Sequence, residues 1–225
     1  MKSSKKITFI ISSGRSGSQL FFKLFNQLEN IDSNHELNIM KYKPEIVKYL
    51  YTNSKKDSSA LENVLDEYYY GKMILSKKKH WIDSNYAIAP VINIIMKKFP
   101  NANIIHLIRS GVKVVSSWKY KLGNEIYNSL EYSHLTKYLD NRDSIKCPSR
   151  EKKNWWYVPS PSSALSKTFS EASQFEKICY HWLLTYNWIN NYASSHLSPN
   201  NYMLVKLEDL VNNEDTLKGV FNFLG

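Results

Sequence analysis

Residues 12–19, Ser-Ser-Gly-Arg-Ser-Gly-Ser-Gln, limit what this chain can fold into more than any other stretch. They stand between an apolar run, Ile-Thr-Phe-Ile-Ile at 7–11, and the helical pattern of residues 20–28. A buried strand, a small-residue turn and an amphipathic helix in that order make an anion cradle. The glycines let the backbone bend and approach a ligand, while the helix N-terminus presents unpaired N–H groups and the positive end of its dipole. A nucleoside-triphosphate loop carries Gly-x-x-x-x-Gly-Lys-Ser/Thr. Here the glycines are three apart, no Lys follows the second, and Arg15 sits inside the turn. The loop is suited to gripping phosphate and is not built like one that hydrolyses ATP.

With 225 residues and 43% hydrophobic content, the chain can bury one sizeable core, so a single domain over residues 1–225 is expected. No window approaches the ~18–20 consecutive apolar residues of a membrane span. The basic N-terminus precedes an apolar run too short for a secretory signal, and the chain reads as soluble and cytoplasmic. Cys147 and Cys179 supply neither a disulfide framework nor a metal-ligand spacing, and Cys179 falls on a helical apolar stripe. The net charge of +10 favours anionic ligands without singling out nucleic acid.

Four apolar runs read as buried parallel strands: residues 7–11, 73–75, 104–108 and 202–205. Helical patterns lie between them. Ile88, Val91, Ile92, Ile95, Met96 and Phe99 share one helix face, and Pro100-Asn101 ends it. The longest helix is expected at 172–193, with Phe175, Ile178, Cys179, Trp182, Tyr186 and Ile189 as its buried stripe. A last helix spans about 214–224. Strands alternating with helices predict a three-layer α/β/α fold around a mostly parallel sheet, of the P-loop NTPase-like kind. Residues 121–170 break the alternation. They are polar, aromatic and proline-punctuated, and they read as a structured lid or acceptor-binding wall inserted into the domain.

A second anion site is expected where residues 104–108 end in Arg109-Ser110-Gly111 and a helix begins at once. Open α/β sheets bind ligands at that edge, and a planar guanidinium suits bidentate phosphate binding. Ser117 follows Arg109 by eight residues.

These blocks together resemble the PAPS-dependent sulfotransferases, PAPS being 3′-phosphoadenosine 5′-phosphosulfate. The likeness rests on the loop at 12–19, on Phe-Pro-Asn-Ala-Asn-Ile-Ile-His-Leu-Ile-Arg at 99–109 with Ser117, and on the closing strand and helix at 202–225. It lies closer to the tyrosylprotein, glycan and bacterial branch than to the cytosolic small-molecule branch. The resemblance implies that Arg15, Ser16, Gly17, Ser18 and Gln19 bind the 5′-phosphosulfate and that Arg109 and Ser117 bind the 3′-phosphate. PAP is the implied product, and no metal is implied. Gln19 stands where the family often has Thr, and Ser110-Gly111 replace a frequent Asp and Pro.

Sulfuryl transfer by in-line displacement depends on positioning and charge stabilisation. Arg15 would stabilise charge on the leaving phosphate. Two residues compete as the general base. Glu36 resembles the catalytic Glu that tyrosylprotein and several glycan sulfotransferases carry after their first helix. His80, in Lys78-Lys79-His80, loosely resembles the base of the cytosolic branch at a longer spacing from Arg109. His35 suits either role. Ser84 occupies the position of the tyrosylprotein branch's active-site Lys. The expected acceptor is a hydroxyl or amine of a small molecule or saccharide. The alternatives are a nucleotide-dependent phosphotransferase or kinase, and a non-catalytic nucleotide- or glycan-binding module on the same fold.

Overall fold

The computed structural model describes residues 5–225. In chain order its elements are β1 (Lys6–Ile11), α1 (Ser18–Phe25), β2 (Ile31–His35), α2 (Ile39–Thr52) and α3 (Lys55–Leu65), which a π-helical turn, Asp66–Tyr70, joins to α4 (Gly71–Leu75). Then come β3 (His80–Ser84), α5 (Ile92–Lys98), β4 (Asn103–Ile108), α6 (Gly111–Leu122), α7 (Ser129–Asp140), α8 (Ser166–Glu171) and α9 (Gln174–His196). The chain closes with β5 (Tyr202–Lys206), α10 (Leu207–Asn212) and α11 (Glu214–Leu224). These elements fall into two compact units, residues 5–37 with Lys72–Val114 and Leu183–Gly225, and Asn38–Gly71 with Val115–Trp182. Among the described residues no helix is long and apolar enough to cross a membrane.

The first unit holds the whole sheet. Its order is β2-β3-β1-β4-β5 and every pair is parallel. Residues in register share a face, so Ile10, Ile82, Ile105, Leu107 and Val205 form one apolar surface, covered by Phe21 and Phe25 of α1, Leu210 of α10, and Val220 and Leu224 of α11. The opposite face carries Phe9, against Trp81 and Phe99, and His106, against Tyr186 of α9. Helices on both faces of a parallel sheet make the three layers.

β2 and β3 are the strands whose residues do not announce them. β3 reads His-Trp-Ile-Asp-Ser yet is buried along its length. Two of its polar side chains are paired inside the unit, His80 Nε2 with Thr8 Oγ1 at 2.9 Å and Asp83 Oδ2 as acceptor from Asn85 Nδ2 at 2.9 Å, while the buried Ser84 Oγ has no hydrogen-bond partner among the described residues. The strand expected at 73–75 is instead helical, within α4. Met73 is buried, whereas Ile74 and Leu75 are exposed, and the Lys5 ammonium donates to the carbonyls of Met73 and Ser76. Three apolar residues in a row fit either conformation, and here the helical path from α3 through the π-turn continues through them.

The second unit is helical and contains residues 121–170, which include α7 and α8. Trp155 packs with Val47, Tyr51, Leu135, Tyr138, Leu139 and Val158. Trp156 meets Trp118, Tyr127 and His181, and the Lys43 ammonium lies 3.8 Å from its ring centroid. Both indole N–H groups donate to backbone carbonyls, of Ser149 and Glu125. The adjacent tryptophans are therefore core of this unit. Asp57 accepts from Arg142 at 2.8 Å and ties α3 to the segment after α7. The stripe of α9 also differs from expectation. Ile178, His181, Thr185, Ile189 and Ala193 are buried, while Phe175 is 53% exposed and Cys179 half-buried. The helix is rotated toward two polar residues that a count of apolar positions passes over.

Two buried histidines give the fold a pH dependence. Burial, aided at His80 by the Lys6 charge, lowers the pKa of His80 and of His106 to about 4. As pH falls below about 6.5 the unfolded chain takes up protons that the folded chain refuses, so stability falls until about pH 4. The loss is about 3 kcal/mol per histidine at the acid end. Urea midpoints should therefore drop from pH 7 to pH 4.5, and His106→Gln should show a smaller drop over that interval. Gly17 is a second sensitive point. Its φ is +95°, and an added Cβ would lie 2.7 Å from Leu207 Cδ1. Gly17→Ala should cost about 1–2 kcal/mol from the left-handed backbone alone, read as a lower thermal midpoint.

Candidate functional site

Because all five strands are parallel, the segments leaving their C-terminal ends emerge at one edge of the sheet. The turn after β1 is braced from within. Ser12 Oγ accepts from the Gly14 N–H at 3.1 Å, Ser16 Oγ donates to the Gly14 carbonyl at 3.0 Å, and Ser13 Oγ lies 3.3 Å from Ser16 Oγ. Gly14, Arg15 and Gly17 all have positive φ, at 73°, 54° and 95°. A turn with left-handed residues directs backbone N–H groups into a concavity that suits an anion. Gly17 then caps α1 without a side-chain hydrogen bond, which leaves the first-turn amides facing the loop side. The serines divide their work: Ser12, Ser13 and Ser16 are buried scaffolding, whereas Ser18 opens the helix and Gln19 is exposed.

Arg109 leaves the end of β4 and its Nη1 donates to the Arg15 carbonyl at 2.9 Å. One guanidinium thus fixes the loop that carries the other. Beside it, Glu208 of α10 accepts from the Ser110 N–H at 3.2 Å and lies 3.8 Å from Lys113 Nζ. Burial raises the Glu208 pKa, but backbone N–H donors and the Lys113 and Arg109 charges outweigh it and leave the carboxyl below its ordinary value.

Glu36 follows β2 directly. Its N–H donates to the Ser84 carbonyl at 3.1 Å and its φ is 52°, so the strand's last pairing turns the chain at this residue. Glu36 Oε1 is 4.0 Å from His35 Nε2, and the same nitrogen lies 3.0 Å from Ser18 Oγ. His35 also packs on Phe22 of α1.

Arg15, Ser16, Gly17, Ser18, Glu36 and Arg109 therefore share this edge. His80 does not. It pairs with Lys6 and Ile31 at the start of β3, about 13 Å along the strand from Ser84. There it bonds Thr8, with its pKa lowered to about 4. Ser117 is half-buried and belongs to the second unit. Two participants escaped the sequence reading. Glu208 had a signal in the acidic first turn that follows a strand, while the pairing of His35 with Ser18 depends on strand order and had none.

No family model matches the sequence, and no curated protein does. Among solved structures, the chain resembles the sulfotransferase domain from the curacin biosynthetic pathway, with a TM-score of 0.57 and 17% identity over 98% of this chain and 74% of that one. The sulfotransferase domain of the Synechococcus PCC 7002 olefin synthase matches at 0.54 and 15%, covering 100% of this chain and 74% of that one. The sulfotransferase from Alicyclobacillus acidocaldarius matches at 0.51 and 13%, covering 99% and 81%. The all-parallel sheet with helices on both faces, matched over nearly the whole chain, has the sulfotransferase fold.

Proposed function

We propose that the chain is a sulfotransferase that uses PAPS and delivers its sulfuryl group to a hydroxyl or amine of a saccharide or other polar metabolite, releasing PAP. The observation that carries this reading is the 2.9 Å bond from Arg109 to the Arg15 carbonyl. It brings the Arg109 guanidinium against the loop that carries Arg15, at the edge where Glu36 also stands. A donor with phosphate at both ends of its nucleoside needs two anion sites beside one another. The left-handed loop and uncapped α1 terminus fit one phosphate, and the Arg109 guanidinium fits the other.

The donor supplies an activated sulfuryl group when bound. Arg15 and the loop amides neutralise charge at its 5′ end, including the charge that grows on the leaving phosphate. Arg109 holds the 3′ end. Glu36 removes the acceptor's proton. His80 has no part in this reading, since it sits at the far end of the sheet.

Binding separates this reading from a kinase. Thermal shift should show stabilisation by 3′,5′-ADP exceeding that by AMP or by ATP with Mg²⁺; stabilisation by ATP–Mg²⁺ alone would overturn the proposal. Glu36→Gln should lower labelled-sulfate transfer by about 10²–10⁴-fold while 3′,5′-ADP still binds. Full activity in that variant removes Glu36 from the mechanism, and binding without any transfer by the wild type marks a non-catalytic module.

A further inference from the structure

One imidazole nitrogen lies between both halves of the candidate site. His35 Nε2 is 3.0 Å from Ser18 Oγ in the first turn of the donor loop's helix and 4.0 Å from Glu36 Oε1. The ring is held by Phe22 on one side and by the pairing of His35 with Ser84 in the sheet. Its side chain is 19% exposed and that of Glu36 14%, so the pair is largely shielded yet in reach of water. Among the groups beside it are Ser18 and Phe22 of α1 and Glu36 after β2, with Ser84 of β3 its partner in register; Lys23, the charged residue of α1, is exposed. Asp32 and Asp83 alternate onto the other face of the sheet.

We propose that His35 is a positioning residue that couples proton removal at Glu36 to hydrogen bonding in the donor loop through Ser18. A hydroxyl has one hydrogen and two lone pairs, and it rotates to suit its neighbours. In the resting state Ser18 donates to Nε2 of a neutral ring, which holds His35 as its Nδ1–H tautomer. Glu36 takes the acceptor's proton as the acceptor's oxygen or nitrogen bonds sulfur and the leaving phosphate departs with the S–O electron pair. As the S–O bond breaks, the proton passes on from Glu36 to His35 Nε2 by way of one bridging water, since the two atoms are 4.0 Å apart, which restores the carboxylate and makes the ring a cation. Nε2–H now donates to Ser18 Oγ, and the Ser18 hydrogen, still covalently bound, turns toward the leaving phosphate. Deprotonating the acceptor thereby delivers one more donor and one more positive charge to the departing group. The ring later releases its proton to water.

This role rests on the sulfotransferase reading for what is transferred, but the Ser18–His35 pairing is testable without turnover. Long-range ¹H–¹⁵N NMR of the wild-type protein should show neutral His35 as the Nδ1–H tautomer. Ser18→Ala should release it toward the Nε2–H form, and 3′,5′-ADP should change the tautomer ratio or raise the His35 pKa in the wild type but not in Ser18→Ala. A wild-type ring already in the Nε2–H form, or one indifferent to Ser18→Ala, overturns the relay whatever the activity. In turnover, Ser18→Ala and His35→Gln should each lower kcat by about 10²-fold, and the double variant should be no slower than the slower single. His35→Gln should also remove one ionisation from the pH profile of kcat. Multiplying losses with an unchanged profile count against coupling. A wild type that keeps the Ser18-dependent tautomer but transfers no sulfuryl group from PAPS overturns the sulfotransferase reading instead.

Discussion

Everything at the candidate site depends on five strands running the same way in one register. Parallel pairing puts the C-terminal ends of β1, β2, β3 and β4 at a common edge, so residues 15, 36, 84 and 109 all lie along it. A parallel sheet needs helices over both faces, because its central strands are buried on both sides. Those helices then supply what the edge lacks: the amides of α1 and the carboxylate of α10. The chemistry follows from the layer arrangement rather than from any one motif.

Backbone strain marks the same edge. Arg15 and Glu36 are two of the five non-glycine residues with positive φ among the described residues, a conformation that costs an L-residue about 1–2 kcal/mol. Each is pinned by a hydrogen bond from or to another strand end: the Arg15 carbonyl by Arg109, the Glu36 amide by Ser84. The strain is held by tertiary contacts and so gives each side chain a fixed origin. A loop free to relax would offer no such placement.

Much of the fold was legible because its information is local. Residues 7–11 and 104–108 are apolar enough to be strands in any context, and the spacing of Leu217, Val220, Phe221 and Leu224 gives α11 at its observed bounds. β2 and β3 were illegible for the opposite reason. Ile-Asp-Ser-Asn-His and His-Trp-Ile-Asp-Ser lack a period-2 apolar pattern and are strands through their neighbours, with Asp83 held by Asn85 and His80 by Thr8. Missing β3 left residues 73–75 as the available strand, and it left His80 looking like a base. The proposed cationic half of the site lay in readable motifs, since closely spaced glycines and a strand-end Arg are local signals. The Ser18–His35 pair and Glu208 are products of strand order, which one-dimensional pattern does not carry.

The contact between Gly17 and Leu207 has a consequence for how the molecule is made. The turn at residues 12–17 is synthesised well before its partners: the side chain packed against its glycine, and the carboxylate bonded to the Ser110 amide, arrive about 190 residues later. Such sequence-distant closures are the slow part of folding. On the ribosome, the nascent chain can pair β1 with β3 and β4 before the loop reaches its final packing, which waits for β5 and α10 to emerge. The turn at residues 12–17 therefore cannot complete its packing before β5 and α10 have been made, however early its own residues are in place.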